Sequence, residues 1–335
     1  MPKLNKRQLL ERVENGIKES GWNLLFVTDP SEHPARYQVY REHFSHAVRV
    51  YIWNLTHGGG RARPVDEYRI QVTGVPQFEP EIGGKTLILG WWDDVGVFAG
   101  FDYQHHKNPL GYSPSMQIRE AALRNAVVNG LCPHQRGGDE IAIAFRPDFI
   151  GAYIDNLESL HQSGQVAGDV EILSRIGNEP ERVSDEEINS RATEKRKFAF
   201  VSTKRALRDI SFRARVLNAY SQKCAFCGLQ LKLLDGAHIL PVSQQGSTDE
   251  TCNGVALCAT HHRAYDHGLI TFDPEYRVHM NRKRVEEFRE TGHDGGLDEF
   301  VEKLKPILIL PPDRRDRPNS DYVGRANTVR GWDFL

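Results

Sequence analysis

The 335-residue chain has no apolar run long enough to span a bilayer, so no membrane association is expected. Its opening, MPKLNKRQLLERVENG, lacks the apolar stretch of a secretory signal, and a cytoplasmic location is the default expectation. A charge imbalance is lacking too. The formal net charge is −2, so overall charge does not mark a nucleic-acid binder. There are only five cysteines, and in a cytosolic chain of this length structural disulfides are not expected. Internal repeats and low-complexity tracts are absent. With 39% hydrophobic and 26% charged residues, the chain reads as an ordinary soluble protein able to bury a core, in about two domains.

Residues 1–165 read as a mixed α+β domain. An amphipathic helix over Leu4–Ser20 opens it, with Leu9, Leu10, Val13 and Ile17 on one face. Alternating apolar segments follow. KTLILGWWDDVGVFAGFDYQ reads as a hairpin turning at Asp93–Asp94. SPSMQIREAALRNAVVNG, with a Ser-Pro start and a glycine stop, reads as a helix throughout. Residues 166–200 are charged and without clear period, and read as a linker with some helix in it. Residues 201–310 form the second domain, opened by the helix RALRDISFRARVLNAYSQ, and residues 311–335 read as a polar tail.

Charge distribution says more than charge sum. From Arg191 to Lys232 the chain is dense in basic residues, Arg205, Arg208 and Arg213 among them, against only Glu194 and Asp209. Such a run can neutralise phosphates, though basic runs more often form a solvated face.

Four cysteines fall close together. Cys224-x-x-Cys227 is followed, after a long gap, by Cys258-x-x-His261. Two pairs at this spacing can clasp one tetrahedral ion from opposite sides, and structural zinc is the expectation. Cys252 is a rival ligand, left free in this reading. With four positions filled, that ion would not be the catalytic one.

Setting the clip aside, His238, Asn253 and His262 remain. Hydrolysis of a phosphodiester needs a base to take a proton from water, a role open to a neutral His238. It also needs a cation where negative charge develops, and His262 can bind one. Asp266, four residues on, shares its helical face. Asn253 can pin the surrounding loop by backbone hydrogen bonds.

The order Cys-x-x-Cys, His-Ile-x-Pro, Asn-Gly-x-x-Leu-Cys and His-His-x-x-x-Asp resembles the HNH (ββα-metal) nucleases of restriction type over about Arg208 to Met280. The resemblance implies two antiparallel strands and a helix around one catalytic metal, Mg²⁺ or a similar ion. It places His238 as general base, Asn253 as loop-orienting residue and His262 as metal ligand. Family members often carry an aspartate just before the base, where this chain has Ala237. A related subset has an acidic residue three before it, here Asp235. Either Asp235 or Asp266 then completes the shell.

The resemblance makes DNA the expected partner and the N-terminal domain its reader. Arg61, Arg63, Trp91 and Trp92 are candidates for phosphate contact and base stacking, against the plainer account of a packed core and a solvated loop. Double-strand cleavage by one site per chain implies a homodimer. Two other readings stand beside this one: a nuclease switched on by a ligand of the N-terminal domain, and a non-cleaving zinc module that binds DNA.

Overall fold

The computed structural model describes residues 3–58 and 64–332. The chain divides into two compact units, residues 1–210 and 211–335. Among the described residues, no helix is long and apolar enough to cross a membrane. The α+β class expected from the sequence is the class observed.

The first unit is built on one sheet. Helix α1 (Lys6–Glu19) begins at a reciprocal cap, in which the Asn5 side chain accepts from the Gln8 amide and the Gln8 side chain accepts from the Asn5 amide. Strands β1 (Asn23–Phe26), β2 (Ala35–Arg41), β3 (Phe44–His57) and β4 (Glu67–Gln71) follow, then β5 (Lys85–Trp92), β6 (Val97–Phe101) and β7 (Ser115–Arg119). After α2 (Glu120–Asn129) come β8 (Leu131–Gly137), β9 (Glu140–Phe145) and α3 (Ile150–Gln162). The strand order is β1-β2-β3-β5-β6-β9-β8, with β4 joining β3 to β7. The β3–β5 pair is parallel, and the other pairs are antiparallel.

Alternation along the strands feeds two cores. Val48, Val50 and Ile52 of β3 face one side, with Leu9, Val13 and Ile17 of α1. Tyr51, Trp53 and Leu55 face the other, with Leu123 and Ala126 of α2 and with Ile70, Met116 and Ile118. Helix α3 lies so close to β6 that a Cβ on Gly100 would sit 2.1 Å from the Tyr153 hydroxyl.

Three expectations change here. SPSMQIREAALRNAVVNG is not helical throughout: Ser115–Arg119 is β7, because it pairs with β4, and the helix starts at Glu120. β8 was not expected. Residues 166–200, read as a linker with some helix, are mostly helical and packed: α4 (Ala167–Asn178), α5 (Asp185–Arg191) and the start of α6 (Glu194–Ala219). Ile172, Leu173, Ile176, Ile188 and Phe200 are fully buried in the first core. Asp169, itself buried, accepts hydrogen bonds from the Thr193 amide and hydroxyl, both at 2.8 Å, just before α6. Most charges of this segment lie on the outer face of packed helices, Asp169 and Arg196 being buried.

The second unit begins within α6, whose Phe212, Val216 and Leu217 enter its core together with Tyr220 just beyond the helix. Strands β10 (Leu234–His238) and β11 (Gly254–Cys258) form an antiparallel pair, followed by α7 (Ala259–Asp266). A hairpin of β12 (Ile270–Phe272) and β13 (Val278–Met280), then α8 (Arg282–Glu290), α9 (Leu297–Lys303) and α10 (Ser320–Val329), complete it. The segment expected as a polar tail is part of this fold. Val323 and Ala326 of α10 are buried in the core, and buried Asn327 donates to the Phe272 carbonyl at 2.9 Å.

Candidate active site

The local ββα unit follows from its sequence. β10 and β11 pair Leu234 with Cys258 and His238 with Gly254, and Cys258 leads straight into α7. Alternation puts Asp235 and Ala237 on one face of β10, and Gly236 and His238 on the other. The second face rests on α6. A Cβ on Gly254 would lie 2.2 Å from Val216 Cγ2 and 3.0 Å from Phe212 Cζ, so only glycine lets the strands approach this closely.

The clip is formed by the residues that the spacing singles out. Donor atoms of Cys224, Cys227, Cys258 and His261 all lie within 4.8 Å of one another. His261 Nδ1 is 3.1 Å from Cys258 Sγ and 3.6 Å from Cys224 Sγ. All three cysteines are free of disulfides, and burial pushes their thiols up. Buried thiolates need a cation beside them, and three sulfurs with one imidazole nitrogen suit a tetrahedral soft-metal site. Cys252 stands outside the cluster, with its thiol near Glu250.

Next to the clip, α7 presents His262. Its Nδ1 lies 3.9 Å from Asp235 Oδ2 and its Nε2 lies 3.4 Å from Asp266 Oδ2. Each carboxylate thus faces a different ring nitrogen. His262 first, and then Arg213, hold Asp235 below the usual carboxylate range against its burial. Asp235 in turn raises His262, with Asp266 assisting. The two carboxylates flank opposite edges of the ring, so a divalent cation could be shared by one ring nitrogen and one of them. One carboxylate would share the ion with His262, and the other would hold the free ring nitrogen.

His238 is held on the α6 side. Phe212 stacks on its ring, with centroids 3.7 Å apart and planes 8° from parallel. Its Nε2 lies 3.0 Å from Asp249 Oδ1. Asn253 is fully buried and grips the loop between the strands. Its Oδ1 accepts from the Leu240 amide at 2.9 Å, and its Nδ2 donates to the Thr248 carbonyl at 2.8 Å and to Ser247 Oγ at 3.1 Å. Sequence reasoning missed Asp249 and Phe212. Phe212 was visible only as an apolar helix position. Asp249 sits in an irregular polar loop, STDET, where spacing carries no signal.

The proposed nucleic-acid contacts fare differently. Arg213 donates to Asp235 at 3.1 Å and to the Leu234 carbonyl at 2.8 Å, so it braces the site. Arg208 pairs with Glu181 at 3.1 Å, and Arg205 is exposed on α6. Trp91 and Trp92 are both buried, on opposite faces of a sheet covered on both sides, and neither offers a stacking surface. Arg61 and Arg63 lie outside the described residues.

Residues 224–273 match the family model described as HNH endonuclease, and residues 46–154 match the one described as Methylase-associated X1. The search of curated proteins finds no match. Among solved structures, the chain is similar to a modification-dependent TagI restriction endonuclease. The identity is 13% over 83% of this chain and 80% of that one, with a TM-score of 0.30, a likeness too low to carry an argument.

Proposed function

We propose that this chain, an HNH endonuclease by its residues 224–273, hydrolyses phosphodiester bonds in DNA as a restriction enzyme that responds to base modification. The observation that carries the chemistry is the ββα arrangement, with His238 at the end of β10 and His262, Asp235 and Asp266 gathered at α7. His262 and one of the two carboxylates would hold a divalent cation such as Mg²⁺, which would supply neutralising charge at the scissile phosphate. His238 takes the proton from the attacking water. Asn253 keeps the connecting loop in register, and Arg213 orients Asp235. Zinc in the clip, bound by Cys224, Cys227, Cys258 and His261, stabilises the unit without entering the reaction.

The description of the family matched at residues 46–154, associated with methylases, supports a reader of modified or unmodified bases in the N-terminal unit. With both sheet faces covered, such a reader would use loops and strand ends. One site per chain cuts one strand, so duplex cleavage would use two copies. The deciding experiment is cleavage of methylated against unmethylated plasmid with Mg²⁺ or Mn²⁺, mapped to the nucleotide. Cleavage of one form alone is expected. Equal cutting of both would remove the modification dependence, and undiminished cutting by His238→Ala would remove the mechanism.

A further inference from the structure

We infer that Asp249 is the positioning residue of the general base: with Phe212 it fixes His238 in the one tautomer and orientation that can accept a proton from water. This rests on the reading of His238 as base and specifies how that base is set.

An ionised carboxylate only accepts hydrogen bonds, so the contact of His238 Nε2 with Asp249 Oδ1 at 3.0 Å places the ring proton on Nε2. Nδ1 is then the lone-pair nitrogen. The neutral imidazole has two tautomers, and only the one with its lone pair toward the water is productive. Phe212, stacked at 3.7 Å, restricts rotation of the ring out of its plane. Asp249 restricts rotation within the plane. Face and edge together leave the ring one pose.

The loop backbone beside this carboxylate has hydrogen bonds of its own. Arg215 of α6 donates to the Asp249 carbonyl at 2.7 Å. Asn253 grips the preceding Thr248 carbonyl, and the Tyr322 hydroxyl of α10 lies 2.9 Å from Thr248 Oγ1. Two of these contacts hold the backbone at Thr248 and Asp249, and the third holds the Thr248 side chain. The Asp249 side chain, nearly buried, is turned to the histidine. Metal binding by Asp249 is the competing role, and it predicts a different response to metal concentration.

The test is Asp249→Asn in the full chain. An amide can donate as well as accept, so it also admits the wrong tautomer. The expected result is a fall in kcat of at least about 100-fold, the direction known for carboxylates that orient a catalytic histidine. KM, thermal stability and the Mg²⁺ concentration for half-maximal rate should stay unchanged. The ¹⁵N spectrum of the His238 ring should shift away from the Nε2–H form. Wild-type cleavage by Asp249→Asn, with His238→Ala inactive, overturns the inference. So does a raised Mg²⁺ requirement, which would make Asp249 a ligand. Activity retained by His238→Ala would instead overturn the reading of the base on which the inference rests.

Discussion

His261 and His262 are neighbours on α7, yet Nδ1 of His261 lies 3.1 Å from Cys258 Sγ while Nε2 of His262 lies 3.4 Å from Asp266 Oδ2. Successive helical residues point about 100° apart, so one dipeptide reaches two different donor clusters. The two alanine variants should therefore fail differently. His261→Ala should lose bound zinc and the cooperative unfolding of the second unit, seen by metal analysis and calorimetry. His262→Ala should keep its zinc and its melting temperature while cleavage falls by about 100-fold or more. Equal zinc loss in both would mean that the two clusters are not separate.

The buried tryptophans give a second prediction. Trp91→Ala and Trp92→Ala should each cost about 3–5 kcal/mol of stability in urea unfolding, as large core truncations do. The folded fraction of either variant should bind DNA as the parent does. A selective loss of binding with unchanged stability would restore them as contact residues.

Helix α10 supplies a third. Arg330 donates to the Ile239 carbonyl at 2.8 Å, one residue beyond His238, and lies 4.3 Å over the Tyr265 ring. Arg330→Ala should destabilise the second unit by about 2 kcal/mol, the scale of a hydrogen bond from a charged donor. Cleavage should fall as well. Ending the chain at residue 311 should abolish folding of that unit, checked by near-ultraviolet circular dichroism.

A fourth concerns pH and the first unit. Burial alone would lower the His105 imidazole, but Asp102 at 2.9 Å and Asp139 at 3.2 Å outweigh it and raise it. A raised imidazole contributes stability below the ordinary histidine value of about 6.5, and that contribution fades as pH climbs through the raised one. The melting-temperature gap between the parent and His105→Gln should be widest near pH ~6 and shrink toward pH ~8.5. A gap that grows with pH would reverse the sign of the coupling.

Some of this was legible in the sequence because metal geometry imposes spacing. Two pairs at x-x identify the four clip residues, and the His-x-x-x-Asp interval puts His262 and Asp266 on one helix face. Asp235 was legible only as one of two candidates, and the structure sets each candidate against a different nitrogen of His262. Asp249 was not legible, because a loop has no period and the partner lies eleven residues back. The residues taken as a linker misled through composition. Helices packed on one side only can be charged on most of their surface and still bury Ile172, Leu173 and Ile176. The tryptophans misled for the converse reason: a sheet covered on both faces leaves no outward position for the alternating residue.

Gly254 carries the least chemistry of any residue in the site and sets one of its tightest tolerances. The strand pair and α6 approach there with no room for a Cβ, which would lie 2.2 Å from Val216 Cγ2, and the phenyl ring that covers His238 belongs to the same helix. A single added methyl would lever that ring away from the imidazole without touching a ligand, a proton or a phosphate. The setting of His238 is in this sense a matter of thickness, governed from across the strand by a residue with no side chain.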